Sequence, residues 1–218
     1  MQWIQQLPMT IHHKHIITYA CLHPAATEKH MVEALTIAEQ QHYQGIVVPS
    51  FWVKKIKRDM TLPGMQLITP IGYPYGYSRT EPKLTEIQIA MDEGVQAVEV
   101  ALNTSAFLTN PKGWAKFELA RFSKLLHRSE TLLHVSMNPL FLSGDLFRDA
   151  VSICRDMGVD QVVLSPEAHP DHYHKVKEWV KDYMEVKLYC RHKHLLQTSS
   201  YEKVERIGLL HPVEYQLQ

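Results

Sequence analysis

Short runs of β-branched and apolar residues recur along the chain at 16–22, 45–48, 65–71, 97–102, 132–137, 161–164, 186–189 and 206–210. Each reads as a strand, and most are apolar throughout, as strands buried on both faces are. Between them lie segments with helical character at 27–42, 50–58, 80–93, 111–127, 143–157 and 171–183. In the fifth of these Leu146, Phe147, Ala150, Val151, Ile153 and Cys154 recur at helical spacing, as a helix lying on a sheet requires. Start and stop signals agree. Thr27, Thr80 and Ser143 are placed to cap helices, Pro111 to take a first helical position, and Gly94 and Gly158 stand where helices end. Alternation of strand and helix predicts a parallel sheet, and eight strands in 218 residues predict a closed (β/α)8 TIM barrel. A doubly wound open sheet carries no such count. The C-terminal stretch is the least regular and leaves room for a short seventh helix over 199–205. The whole chain reads as a single domain over 1–218, with residues 1–15 as an extension before the first strand.

Composition narrows the partners. With 45% hydrophobic and 21% charged residues the chain can bury one sizeable core. Lys plus Arg and Asp plus Glu are equal at 23 each, so no net field recommends nucleic acid or an anionic membrane. Cys21, Cys154 and Cys190 have no paired spacing, which speaks against a disulfide framework and fits a reducing cytoplasm. The opening MQWIQQLPMTIHHKHI lacks a basic region followed by an apolar run, and no later stretch approaches the ~20 apolar residues of a membrane helix. A soluble, cytoplasmic protein is therefore expected.

In such a barrel the chemistry lies at the C-terminal ends of the strands. Following each strand to its end gives Thr18 and Tyr19, Glu99 and Asn103, Asn138, Ser165 and Glu167, and Lys187 with Tyr189. Glu99 and Lys187 stand out as charges inside apolar strands, where burial without a partner is costly. They are placed to pair with each other, unless strand alternation turns them outward. Tyr73, Tyr75 and Tyr77, beside Gly72 and Gly76, either line a cleft at the mouth or cover the barrel top. Arg79, Arg191 and Lys193 are anion contacts or a solvated rim.

Several segments carry a family resemblance. ITYACLHPAAT at 17–27 is similar to an opening I-D-H-T-L-L-x-P-x-A-T pattern, and IVVPSFWV at 46–53 to I-C-V-N-P-x-Y-V. IGYPYG at 71–76, with Thr80, Glu81 and Lys83, is similar to I-G-F-P-x-G followed by T-x-E/K. VEVALN at 98–103 resembles I-D-M-V-I-N, and VKLY at 186–189 resembles V-K-A-S. In this order the segments resemble the deoxyribose-phosphate aldolase family over nearly the whole chain. The resemblance implies a (β/α)8 barrel and a class I aldolase site, where a desolvated lysine attacks a carbonyl and the resulting iminium stores electrons. It also marks departures. VVLS at 162–165 stands where the family has V-K-T-S, so Val163 takes the place of the imine-forming lysine. Glu99 and Thr18 stand for aspartates. Tyr189-Cys190-Arg191-His192 and Gly208-Leu209-Leu210-His211 replace the family's glycines after the last two strands, whose backbone N–H groups approach a phosphate.

Three readings follow. In the first, a divergent carbon–carbon lyase uses Lys187 as the attacking amine and Glu99 as general acid/base, with Thr18, Asn103, Asn138, Ser165, Tyr189 and Arg191 holding the substrate. In the second, a catalytically dead pseudoenzyme keeps a binding or regulatory role. In the third, a metal-dependent lyase draws on clustered histidines: His12, His13 and His15; His169, His172 and His174; His192 and His194 with Cys190. Their spacings match no established ligand motif, so no metal ligand is assigned and no cofactor is implied. The expected partner is a small sugar or carbonyl compound, and a homodimer is compatible with the sequence.

Overall fold

The computed structural model describes residues 15–111, 113–142 and 144–213 of the chain. Eight strands, β1 (Ile16–Ala20), β2 (Gly45–Val47), β3 (Gln66–Ile71), β4 (Ala97–Ala101), β5 (Leu132–Met137), β6 (Gln161–Leu164), β7 (Glu185–Cys190) and β8 (Arg206–Leu210), pair in sequence order and in parallel. β8 closes on β1, with Thr18 opposite Gly208. The (β/α)8 barrel read from the alternation is therefore the fold. The extension read at residues 1–15, with His12 and His13, lies almost wholly outside the described residues, as does the Ser143 cap.

Each strand feeds two apolar layers. Ile17, Ile46, Leu67, Val98, Leu133, Val162, Val186 and Ile207 are buried with the helices, while Ala20, Val47, Ile68, Ala97, Val163 and Tyr189 form a separate cluster inside the barrel. Burial on both faces is why these segments read as apolar runs. Helices α1 (Glu28–Gln40), α2 (Val53–Asp59), α3 (Thr80–Asp92), α4 (Thr104–Thr109), α5 (Trp114–Leu126), α6 (Gly144–Asp156) and α7 (Pro170–Val180) surround the sheet. In α6, Phe147, Ala150, Val151, Ile153 and Cys154 are all buried, as their spacing requires.

Three local expectations are corrected. Thr80 is not a cap: Arg79 precedes α3, and Thr80, fully buried, donates its hydroxyl to Glu118 Oε1 at 3.3 Å. Pro111 sits in a turn, and α5 starts only at Trp114 after Gly113. The seventh helix is replaced by two 3-10 turns, Lys193–Gln197 and Ser199–Tyr201, anchored by buried Leu196 and Tyr201. The polar run between those anchors has no 3.6-residue apolar stripe to hold a longer helix on the barrel.

Candidate functional site

The alternation that sends Ala97 and Tyr189 into the barrel also sends Glu99 and Lys187 there. Lys187 Nζ donates to Glu99 Oε2 at 3.0 Å, and the Tyr189 hydroxyl donates to the same oxygen at 3.1 Å. Lys187 is 1% exposed, Glu99 3% and Tyr189 4%. The amine also lies 5.1 Å from the centre of the Tyr189 ring, a cation–π contact. Burial, reinforced by Glu99, pushes the Tyr189 phenol well above its ordinary range, so it is a hydrogen-bond donor in this setting.

The space for Tyr189 comes from β8. A Cβ on Gly208 would lie 2.4 Å from Tyr189 Cδ1, so only glycine lets the ring stand upright inside the barrel. Val163 is directly beside Lys187 in the β6–β7 register and is fully buried.

One inward residue escaped the reading of the sequence. His134 pairs in register with Glu99, is buried, and has no hydrogen bond at Nδ1 among the described residues. Burial first, then nearby Lys187 and Arg206, hold its imidazole well below the ordinary range. The signal was available: in LLHVSM it is a polar residue at the same parity as Leu132 and Ser136. His211, after β8, is also buried; its Nδ1 meets the Tyr19 hydroxyl at 3.0 Å, and burial lowers its pKa. Both imidazoles resist protonation in the folded chain at pH values where they accept protons in the unfolded chain. Stability is therefore full above pH ~6.5 and falls below it by up to ~1.4 kcal/mol per pH unit for each histidine, because the unfolded state binds more protons. Urea unfolding from pH 7.5 to 5 should show this fall, and His134→Gln should remove the His134 share of the slope.

A second buried ion pair braces the barrel from outside. Lys83 of α3 meets Glu118 Oε2 of α5 at 3.0 Å and the Ala101 carbonyl at the end of β4 at 3.3 Å. Both side chains are buried, and the pair ties two helices to the strand that carries Glu99.

The other candidates disperse. Thr18 is buried on β1, two residues before Ala20, and so faces inward by alternation. Tyr19 is buried with the outer cluster. The Asn103 and Asn138 side-chain oxygens cap turns, accepting from Ala106 N at 3.0 Å and Leu140 N at 2.9 Å. Ser165 is half-buried after β6, and Arg191 pairs with Glu167 at the exposed rim.

The described members of the histidine clusters make structural contacts. His169 accepts from Asp171 N at 3.3 Å and its own N–H donates to His172 Nδ1, together capping α7. His15 Nδ1 bonds the Val204 carbonyl at 2.6 Å, and His192 stacks on His194. Among the described residues no group of three or more His, Cys, Asp or Glu is placed to hold a metal ion. Among these residues no helix is long and apolar enough to cross a membrane.

At the mouth, the loop after β3 is held by backbone. Gly72 N donates to Glu86 Oε2 at 3.0 Å and Gly76 N to the Gly72 carbonyl at 2.7 Å, both glycines having positive φ. Tyr73, Tyr75 and Tyr77 project from this loop over a groove of about 410 Å³. A second cavity, about 510 Å³, lies at the opposite end of the barrel, where its charges pair as His127 with Asp160, Lys177 with Glu205 and Arg206 with Glu185.

The chain is thus a closed parallel (β/α)8 barrel with a lysine and a carboxylate joined in its interior. Known proteins give that class a particular form. The chain is 23% identical over 149 residues to the deoxyribose-phosphate aldolase of Treponema denticola, covering 68% of this chain and 69% of that one. With the deoxyribose-phosphate aldolase of Actinobacillus succinogenes it shares 26% identity over 150 residues, 68% of this chain and 66% of the other. Among solved structures it superposes on QR15, an aldolase, with a TM-score of 0.77 at 21% identity over 90% of each chain. The deoxyribose phosphate aldolase from Aeropyrum pernix, described as a unique tetrameric structure, matches with a TM-score of 0.72 at 22% identity, over 79% of this chain and 75% of that one. No family model matches the chain. The sequence is thus similar to deoxyribose-phosphate aldolases, and the fold is that of a deoxyribose-phosphate-aldolase-like class I aldolase.

Proposed function

We infer that this chain is a single-domain aldolase-like barrel that binds a small sugar or carbonyl compound without forming an imine. The carrying observation is the state of Lys187: its amine is engaged by Glu99 at 3.0 Å, beside Val163 in the strand register, at 1% exposure. An imine-forming lysine needs a free lone pair and an approach path for the carbonyl carbon. Val163, read as standing where the aldolases carry lysine, offers no nucleophile. Tyr189 shares the barrel interior with Lys187, and its hydroxyl donates to the same Glu99 oxygen. Three buried free thiols, Cys21, Cys154 and Cys190, suit a reducing, cytoplasmic setting.

The test is reductive trapping. Incubation with sodium borohydride and acetaldehyde, glyceraldehyde 3-phosphate or 2-deoxyribose 5-phosphate, followed by intact and peptide mass analysis, should leave Lys187 unmodified, with no cleavage of the sugar phosphate. A reduced adduct on Lys187 together with turnover would overturn this reading and restore the lyase.

A further inference from the structure

We propose that the groove beneath the β3 loop is a saccharide site, with the stacked rings of Tyr75 and Tyr77 as its platform and an unphosphorylated sugar as its ligand. Three tyrosines on one loop are 54%, 55% and 70% exposed at positions 73, 75 and 77. Core packing does not call for them, and solitary exposed aromatics would need no account, but these are contiguous and face one cavity. Tyr75 and Tyr77 stack with ring centres 5.4 Å apart and an interplanar angle of 26°, so each ring braces the other while both stay more than half exposed, leaving an outer aromatic face with a hydroxyl at its edge. The electron-rich face of such a ring attracts the weakly positive C–H face of a sugar, while the phenol hydroxyls and Ser50 suit its hydroxyl rim.

The frame is rigid. Gly76 is packed so closely against the end of β4 that an added Cβ would meet the Ala101 carbonyl oxygen at 2.3 Å. Glu86 holds the other end of the loop through Gly72. A platform fixed in advance loses little conformational freedom on binding.

Charge selects the ligand. The groove is lined by Leu22, Pro49, Ser50, the tyrosine loop and Glu86, with no lysine, arginine or histidine among its lining residues. Glu86 places the only carboxylate among those lining residues, with its Oε2 accepting from Gly72 N. A carboxylate accepts from sugar hydroxyls and repels a phosphate. Its volume, about 410 Å³, falls within the range of small-ligand sites.

This deepens the binding reading above and rests on it only for the absence of turnover; the groove shares no residue with Glu99, Lys187 and Tyr189. Isothermal titration of the full chain with D-glucose, D-ribose, 2-deoxy-D-ribose and maltose, and with glucose 6-phosphate and ribose 5-phosphate, tests it. At least one neutral sugar should saturate, its phosphorylated counterpart should bind at least ~10-fold more weakly, and Tyr75→Ala/Tyr77→Ala should weaken the neutral sugar at least ~10-fold with an unchanged circular dichroism spectrum. Tyr75→Phe/Tyr77→Phe, which keeps the platform, should retain most of the affinity. Equal or tighter binding of the phosphates, no saturation by any neutral sugar, or unchanged binding by the alanine variant would overturn the proposal. A Lys187 adduct in the borohydride experiment alongside tyrosine-dependent sugar binding would sink the non-imine reading and leave this site standing.

Discussion

Glu99→Ala is expected to lower the unfolding free energy by about 3–5 kcal/mol, the cost of leaving one member of a buried ion pair without its partner. The variant strands the Lys187 amine at 1% exposure and removes the acceptor of the Tyr189 hydroxyl. The partner experiment separates charge from packing. Glu99→Leu with Lys187→Met and Tyr189→Phe removes both charges and the hydroxyl that would otherwise lack its acceptor, and should recover most of the loss, because well-packed apolar groups escape the desolvation cost of the pair. Urea unfolding followed by tryptophan fluorescence and circular dichroism measures both, with coincident transitions as the check on two-state behaviour. A Glu99→Ala cost below about 1 kcal/mol, the value of an exposed pair, would mean that water reaches the barrel interior.

Gly76→Ala is the second large effect, and it acts through backbone alone. The new Cβ would meet Ala101 O at 2.3 Å, Leu102 C at 2.8 Å and Asn103 N at 2.9 Å, at a φ of +68° that L side chains rarely adopt. All three obstacles are main-chain atoms of the β4 end, so no rotamer can relieve them. A loss of about 3 kcal/mol or more is expected from overpacking and left-handed strain together. Gly144→Ala is the control, since nothing lies within 4 Å of a Cβ there. Similar denaturation midpoints for the two variants would show that the loop lifts away from β4 at little cost.

The strands were legible because a barrel strand is buried on both faces, and a run such as QVVL or AVEVA admits few other environments. Glu99 and Lys187 were legible for the opposite reason, as charges that such a run excludes unless they pair. Where the sequence misled, the deciding contact was distant. Thr80 looks like a cap locally, but its hydroxyl is claimed by Glu118, 38 residues away on α5. Lys83 looked like one more motif residue, and only the packing of α3 on α5 reveals a second buried ion pair. The six residues of α4, TSAFLT, are too few to show a period. His134 gave a weaker signal than Glu99 or Lys187, because a buried imidazole can stay neutral and does not demand an opposite charge. The histidine clusters suggested metal chemistry, whereas His15 bonds a backbone carbonyl, His169 and His172 cap α7, His174 packs on Tyr173, and His192 stacks on His194.

The fit of Tyr189 against Gly208 couples distant positions of this interior. Enlarging residue 208 would evict the phenol ring and sever its bond to Glu99 in one step. Substitutions at 99, 189 and 208 share one interaction network, so their effects on stability will not add independently.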